Sequence, residues 1–154
     1  MQNLDDKIVI FGMSCVGKTT FAKTLTKHTY YCFDYLFQWH CIETFGLSIT
    51  ENFKYIQEQC IADKFVLDGW HLADSKGQYL PSGAVVYVVW APYEKIISQY
   101  RVEVYEPDEH RSMYQKWYID IDYSVFDKVR YFSNLQNFEE ISRTEFITFL
   151  EHNQ

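Results

Sequence analysis

Polar and apolar residues follow two rhythms along this chain. Short, nearly unbroken apolar runs occur at Lys7 to Phe11 (KIVIF), Tyr30 to Phe33 (YYCF), Lys64 to Trp70 (KFVLDGW), Ala84 to Ala91 (AVVYVVWA) and Lys128 to Ser133 (KVRYFS). Runs of this length with little alternation read as strands covered on both faces. Between them the apolar positions recur every three or four residues. Such spacing predicts helices over Lys18 to His28, from Tyr35 through Trp39 and Ile42 with Gly46 as a stop, and over Ser48 to Cys60. Further helix faces are marked by Tyr93, Ile96, Ile97, Tyr100 and Val104, which end before Pro107, then by Met113, Trp117 and Ile121, and finally by Phe146, Phe149 and Leu150. Ser48 with Glu51, and Ser142 with Glu145, have the capping-box spacing that opens a helix.

Strand and helix signals alternate from end to end. That order predicts one three-layer α/β domain over residues 1–154, with a mainly parallel sheet of five strands. Composition narrows the picture further. Hydrophobic residues at 47% and charged residues at 23% are those of a globular chain, which excludes a disordered one. The longest apolar run, Ala84 to Pro92, is too short to cross a bilayer, and the start MQNLDDK is unlike a signal peptide. Cys15, Cys32, Cys41 and Cys60 form no CxxC pair and no zinc-like spacing, so free thiols in a reducing cytoplasm are expected. A net charge of −7 disfavours non-specific nucleic-acid binding, although a local basic cleft stays open.

The chemistry is announced by GMSCVGKT, Gly12 to Thr19, which fits G-x-x-x-x-G-K-[ST] in full. Gly12 and Gly17 allow a tight turn whose backbone N–H groups, from Met13, Ser14, Cys15, Val16 and Gly17 onward, face an anion. The helix starting at Lys18 adds its positive end, through Lys18, Thr19 and Thr20. Lys18 then reaches the β- and γ-phosphates of ATP, and the Thr19 hydroxyl is placed for Mg²⁺. The motif sits between a strand signal and a helix signal, as this mechanism requires.

With these residues the chain resembles the P-loop kinases that act on nucleosides, nucleotides and small metabolites. Its shortness and the stretch FVLDGWHLAD also resemble small kinase-like proteins of tailed bacteriophages, which would work in the host cytoplasm. The resemblance implies strand order 2-3-1-4-5, with the strand carrying Asp68 beside the phosphate-loop strand. Asp68 is then expected to hold Mg²⁺ through water or to contact the acceptor. The pattern departs from nucleotide kinases after Trp70, where His71 and Leu72 replace a Pro-Arg pair, which weakens the case for a nucleoside monophosphate acceptor. No N/T-K-x-D motif is present, as a signalling GTPase would need.

Other candidates follow from position. Asp34 ends the second strand signal and is read either as the base for the acceptor hydroxyl or as the cap of the helix after it. Arg101 and Arg111 fall in a lid-like segment at 101–122; they are candidate clamps on the transferred phosphoryl group, or else partners of nearby acids. Arg130 and Arg143 read as structural. The 19% aromatic content concentrates around Phe33, Tyr35, Phe37, Trp39 and Trp70, either as core or as a stacking wall with Trp39 and Trp70 touching a planar acceptor. Asn134 to Asn137 (NLQN) follows the fifth strand, where the family's adenine loop lies. The expectation is an ATP- and Mg²⁺-dependent phosphotransferase with a small nucleoside-like acceptor. Two alternatives stay open: a kinase acting on nucleic acid at a 5′ end or modified base, and a nucleotide-gated regulatory module without transfer.

Overall fold

The computed structural model describes residues 4–13, 16–37, 48–70, 79–98, 118, 121–126 and 128–152. Its elements are β1 (Lys7–Phe11), α1 (Lys18–Lys23), β2 (Thr29–Cys32), α2 (Phe33–Leu36), α3 (Ile49–Gln59), β3 (Phe65–Asp68), β4 (Val85–Trp90), α4 (Tyr93–Ser98), a 3-10 turn (Tyr123–Val125), β5 (Val129–Ser133), β6 (Glu139–Ile141) and α5 (Arg143–His152). The sheet has six strands in the order β2-β3-β1-β4-β5-β6. The first five are parallel, so the order 2-3-1-4-5 expected from the resemblance holds.

The sixth strand corrects the count of five. It pairs antiparallel to β5 through Tyr131↔Ile141, Phe132↔Glu140 and Ser133↔Glu139. A three-residue edge strand reading EEI carries no apolar rhythm, because water covers its outer side. The central strands do carry that rhythm: every residue of β3 and β4 is buried.

Successive strand residues point to opposite faces, and β5 shows which helix covers which. Phe132 contacts Phe21 of α1, whereas Tyr131 stacks on Phe146 of α5 at 4.7 Å. The two helices therefore lie on opposite faces of the sheet. The three-layer arrangement follows from that alternation.

Local boundaries moved for physical reasons. The helix expected to reach His28 ends at Lys23, where the Thr24 hydroxyl donates to Phe21 O and the chain turns toward Thr29. Phe33, expected as a strand residue, opens α2 and packs against Phe37, Phe53 and Trp70. The second capping box forms in full, and the first is present as its serine cap. Ser48 Oγ accepts from Glu51 N–H at 3.1 Å, and Ser142 and Glu145 exchange two such bonds at 3.1 Å.

Candidate functional site

The phosphate loop leaves the carboxyl end of β1, the central strand, and returns as α1. Gly12 cannot carry a side chain there: a Cβ would stand 2.6 Å from the Val89 carbonyl oxygen. Gly17 has φ +101°, the left-handed region, and a Cβ on it would meet Asn134 Nδ2 at 2.8 Å. The two glycines are thus demanded by close approach and by backbone angle. Phe21 N–H bonds to Gly17 O at 2.9 Å, so α1 begins directly after the turn.

Three side chains from outside the loop hold it. The Tyr118 hydroxyl, fully buried, accepts from Met13 N–H and donates to Val89 O, both at 2.8 Å. Asn134 Nδ2 donates to Val16 O at 2.8 Å. Lys95 of α4 in turn donates to Asn134 O at 2.7 Å and Leu135 O at 3.2 Å, fixing the turn between β5 and β6. The NLQN stretch, expected as an adenine contact, thus also ties the loop through Asn134. Tyr118 and Lys95 belong to no motif with fixed spacing, so the sequence carries no signal for them.

The loop's own chemistry lies at Lys18 and Thr19. Lys18 Nζ donates to Gly12 O at 2.5 Å, so the ammonium lies across the loop. Thr19 Oγ1 donates to Asp68 Oδ2 at 2.7 Å. Asp68, at the carboxyl end of β3, is only 6% exposed. A hydroxyl and a nearly buried carboxylate side by side, next to a loop of backbone amides, are hard oxygen donors of the kind Mg²⁺ selects beside phosphates. Among the described residues no group of three His, Cys, Asp or Glu gathers to hold a metal.

One further residue joins this pair. The Tyr30 hydroxyl donates to the same Asp68 Oδ2 at 2.6 Å. Burial of the phenol, then the bond and charge of Asp68, push its ionisation far above the usual tyrosine value.

The remaining candidates divide plainly. Asp34 lies in the first turn of α2 and is exposed, and the cap position belongs to Cys32, so the capping alternative for Asp34 is corrected. Thr20 is exposed on α1. Trp70 is 1% exposed and packs against Phe33 and Phe53, which makes it core and not an open stacking wall. Cys32 and Cys60 are free thiols, and burial pushes the Cys60 thiol up to about 11. Ser14, Cys15, Trp39, Cys41, His71, Arg101 and Arg111 lie outside the described residues, as does most of the segment 101–122. No described helix is long and apolar enough to cross a membrane.

No family model matches the chain, and no curated protein matches it either. Solved structures do match. A sugar kinase from Janibacter superposes with TM-score 0.60 at 14% identity, over 97% of this chain and 94% of its own. Shikimate kinase from Acinetobacter baumannii, in complex with shikimate, gives 0.59 at 15% identity, over 96% and 92%. The YorR protein of Bacillus subtilis, in complex with phosphorylated GDP, gives 0.56 at 16% identity, over 96% and 99%. At such identities the likeness lies in the fold, and this chain has the α/β fold of P-loop kinases, with a sixth strand on its edge.

Proposed function

We propose that this protein is an ATP- and Mg²⁺-dependent kinase that moves the γ-phosphoryl group to a hydroxyl or phosphate of a small, nucleoside-like acceptor. The observation that carries the reading is the 2.7 Å bond from Thr19 Oγ1 to Asp68 Oδ2, beside the turn enforced at Gly12 and Gly17. That pairing joins the last residue of the loop motif to the acidic end of the neighbouring strand. Neither a bare glycine turn nor an ordinary helix start needs it.

The triphosphate lies along the loop in this reading, held by the backbone amides from Met13 to Thr20. Lys18 exchanges its bond to Gly12 O for the β- and γ-phosphate oxygens, where charge grows as the leaving group departs. Thr19 and Asp68 would hold Mg²⁺, which when bound would supply neutralisation of the phosphate charge. The acceptor oxygen forms the new bond to the γ-phosphorus as the bond to the β-bridging oxygen breaks and ADP leaves. Asp34, exposed in the first turn of α2, takes the acceptor proton. Arg101 and Arg111, in a lid over 101–122, clamp the phosphoryl group. Trp39 lines the acceptor side, while Trp70 shapes it from within the core.

A small hydroxyl-bearing acceptor is supported by the described neighbours, a sugar kinase and a shikimate-bound shikimate kinase. The GDP-bound neighbour keeps nucleotide-like acceptors in view. A net charge of −7 speaks against nucleic acid as the acceptor. The test is transfer of labelled γ-phosphate from ATP with Mg²⁺ to pooled nucleosides, nucleoside monophosphates, sugars and DNA, with Lys18→Ala as the blank. Label in one pool, absent with Lys18→Ala, establishes transfer and names the acceptor class. Tight, Lys18-dependent ATP binding with no labelled acceptor would instead identify a nucleotide-gated module.

A further inference from the structure

Asp68 Oδ2 receives two hydroxyl donors. Thr19 belongs to the loop motif; Tyr30 belongs to no motif, and it arrives from a different strand. The register explains how. Cys32 pairs with Asp68 and Tyr30 with Val66, so Tyr30, Cys32, Val66 and Asp68 share the face of the sheet that α1 covers. The phenol reaches past one residue of β2 to the carboxylate at the end of β3.

Packing does not account for this tyrosine. Its side chain is 39% exposed, so it contributes little to the core, and a valine would serve an edge strand equally well. What its ring carries is the hydroxyl, at 2.6 Å from a carboxylate that is itself almost dry. A carboxylate in that setting needs donors to its oxygens to satisfy them and to hold one rotamer.

We infer that Tyr30 is a positioning residue of the metal site: its hydroxyl fixes the Asp68 carboxylate so that, with Thr19, it presents a pre-set oxygen to Mg²⁺. The inference rests on the proposed Mg²⁺-nucleotide reading of the loop. Outer donors of this kind orient a ligating group and are known to affect metal affinity strongly when removed. Nucleotide affinity without metal should not depend on Tyr30, because the phenol bonds to Asp68 and, among the described residues, to none of the loop amides.

The experiment measures binding, not turnover. ADP affinity is determined for the full chain by calorimetry in EDTA, and Mg²⁺ is then titrated onto the ADP-loaded protein. Wild type, Tyr30→Phe and Tyr31→Phe are compared; Tyr31 packs on Phe65, one residue along on the opposite face. Tyr30→Phe is expected to raise the half-saturating Mg²⁺ roughly tenfold, with ADP affinity in EDTA unchanged. Tyr31→Phe leaves the Mg²⁺ titration where it was. An unchanged Mg²⁺ midpoint in Tyr30→Phe overturns the role of Tyr30 while leaving the site intact. A wild-type protein whose ADP affinity ignores Mg²⁺ overturns the metal reading itself, and the two failures are told apart by the wild-type titration alone.

Discussion

Asn134 Nδ2 donates to the Val16 carbonyl at 2.8 Å, which fastens the turn after β5 to the phosphate loop. The same nitrogen lies 2.8 Å from where a Gly17 Cβ would be, so the amide also fills the space left by the glycine. Asn134 is 7% exposed, and Lys95 holds its backbone oxygen from the other side. Asn134→Ala removes the donor and leaves Val16 O without it in a nearly dry place. A buried group stranded in this way costs about 1–3 kcal/mol. ATP affinity is expected to fall about tenfold by calorimetry, which corresponds to ~1.4 kcal/mol. An unchanged affinity would mean that Val16 is positioned by the loop alone.

Gly17 makes a sharper case. Alanine there must adopt φ near +101° and must also push against Asn134 and the Phe138 ring, whose nearest carbon would be 3.1 Å away. Left-handed strain in a non-glycine residue costs about 1–3 kcal/mol before the clash is counted. Gly17→Ala should therefore lower the urea midpoint and weaken ATP binding by more than about tenfold. Binding at wild-type strength would show that the turn tolerates a side chain, and the steric argument for the motif glycine would fail.

How much of this could be read in advance depends on which forces left a mark in the sequence. The turn at Gly12 and Gly17 was legible, because close approach and a left-handed backbone each demand a glycine. Strands β1, β3 and β4 were legible because burial on both faces removes polar residues from them. Asp68 was legible as a strand end with a motif partner. Tyr30 was not: it sits in an aromatic strand next to Tyr31, and only the register of β2 against β3 shows which of the two reaches the carboxylate. Tyr118, 105 residues from its partner Met13, was out of reach for the same reason. Strand β6 left no trace since a polar edge strand resembles a loop. Phe33 misled because an aromatic residue at the end of a strand run looks like more strand, whereas its packing against Phe53 and Trp70 favours the first turn of a helix.

Tyr118→Phe tests the third tie on the loop. The hydroxyl serves as acceptor for Met13 N–H and donor to Val89 O, and both partners are buried. Phenylalanine keeps the ring contacts with Phe11 and Phe146 but satisfies neither group. A loss of about 1–3 kcal/mol in chemical denaturation is expected, together with weaker ATP binding, since Met13 N–H is at the loop entrance. A stable variant with normal binding would indicate that water replaces the hydroxyl at no cost.

Far from this site, Arg130 joins three segments and makes stability depend on acid. Its Nε and Nη2 donate to Glu140 Oε2 and Oε1 at 2.6 and 2.7 Å, and its Nη1 donates to Asp5 Oδ2 at 2.8 Å. Tyr87, buried in β4, donates to the same Asp5 oxygen at 2.6 Å. Burial pushes the Asp5 carboxyl up, but the bonds from Tyr87 and Arg130 together outweigh it and hold Asp5 below its ordinary 3.8. The Arg130 hydrogen bond holds Glu140 below its ordinary 4.5, against a smaller opposing effect of burial. Both groups therefore bind fewer protons in the folded chain than in the unfolded one near those values. Their stabilisation is complete above the ordinary carboxylate range and is lost as pH falls through the lowered folded values. The urea midpoint should stay flat from about pH 7 to pH 5 and drop below it. Arg130→Gln should start lower and drop less steeply, because the two carboxylates then titrate closer to their unfolded values. Both carboxylates are partly exposed, so added salt should narrow the gap between the two proteins. Parallel pH curves for wild type and Arg130→Gln would show that the acid sensitivity comes from other carboxylates.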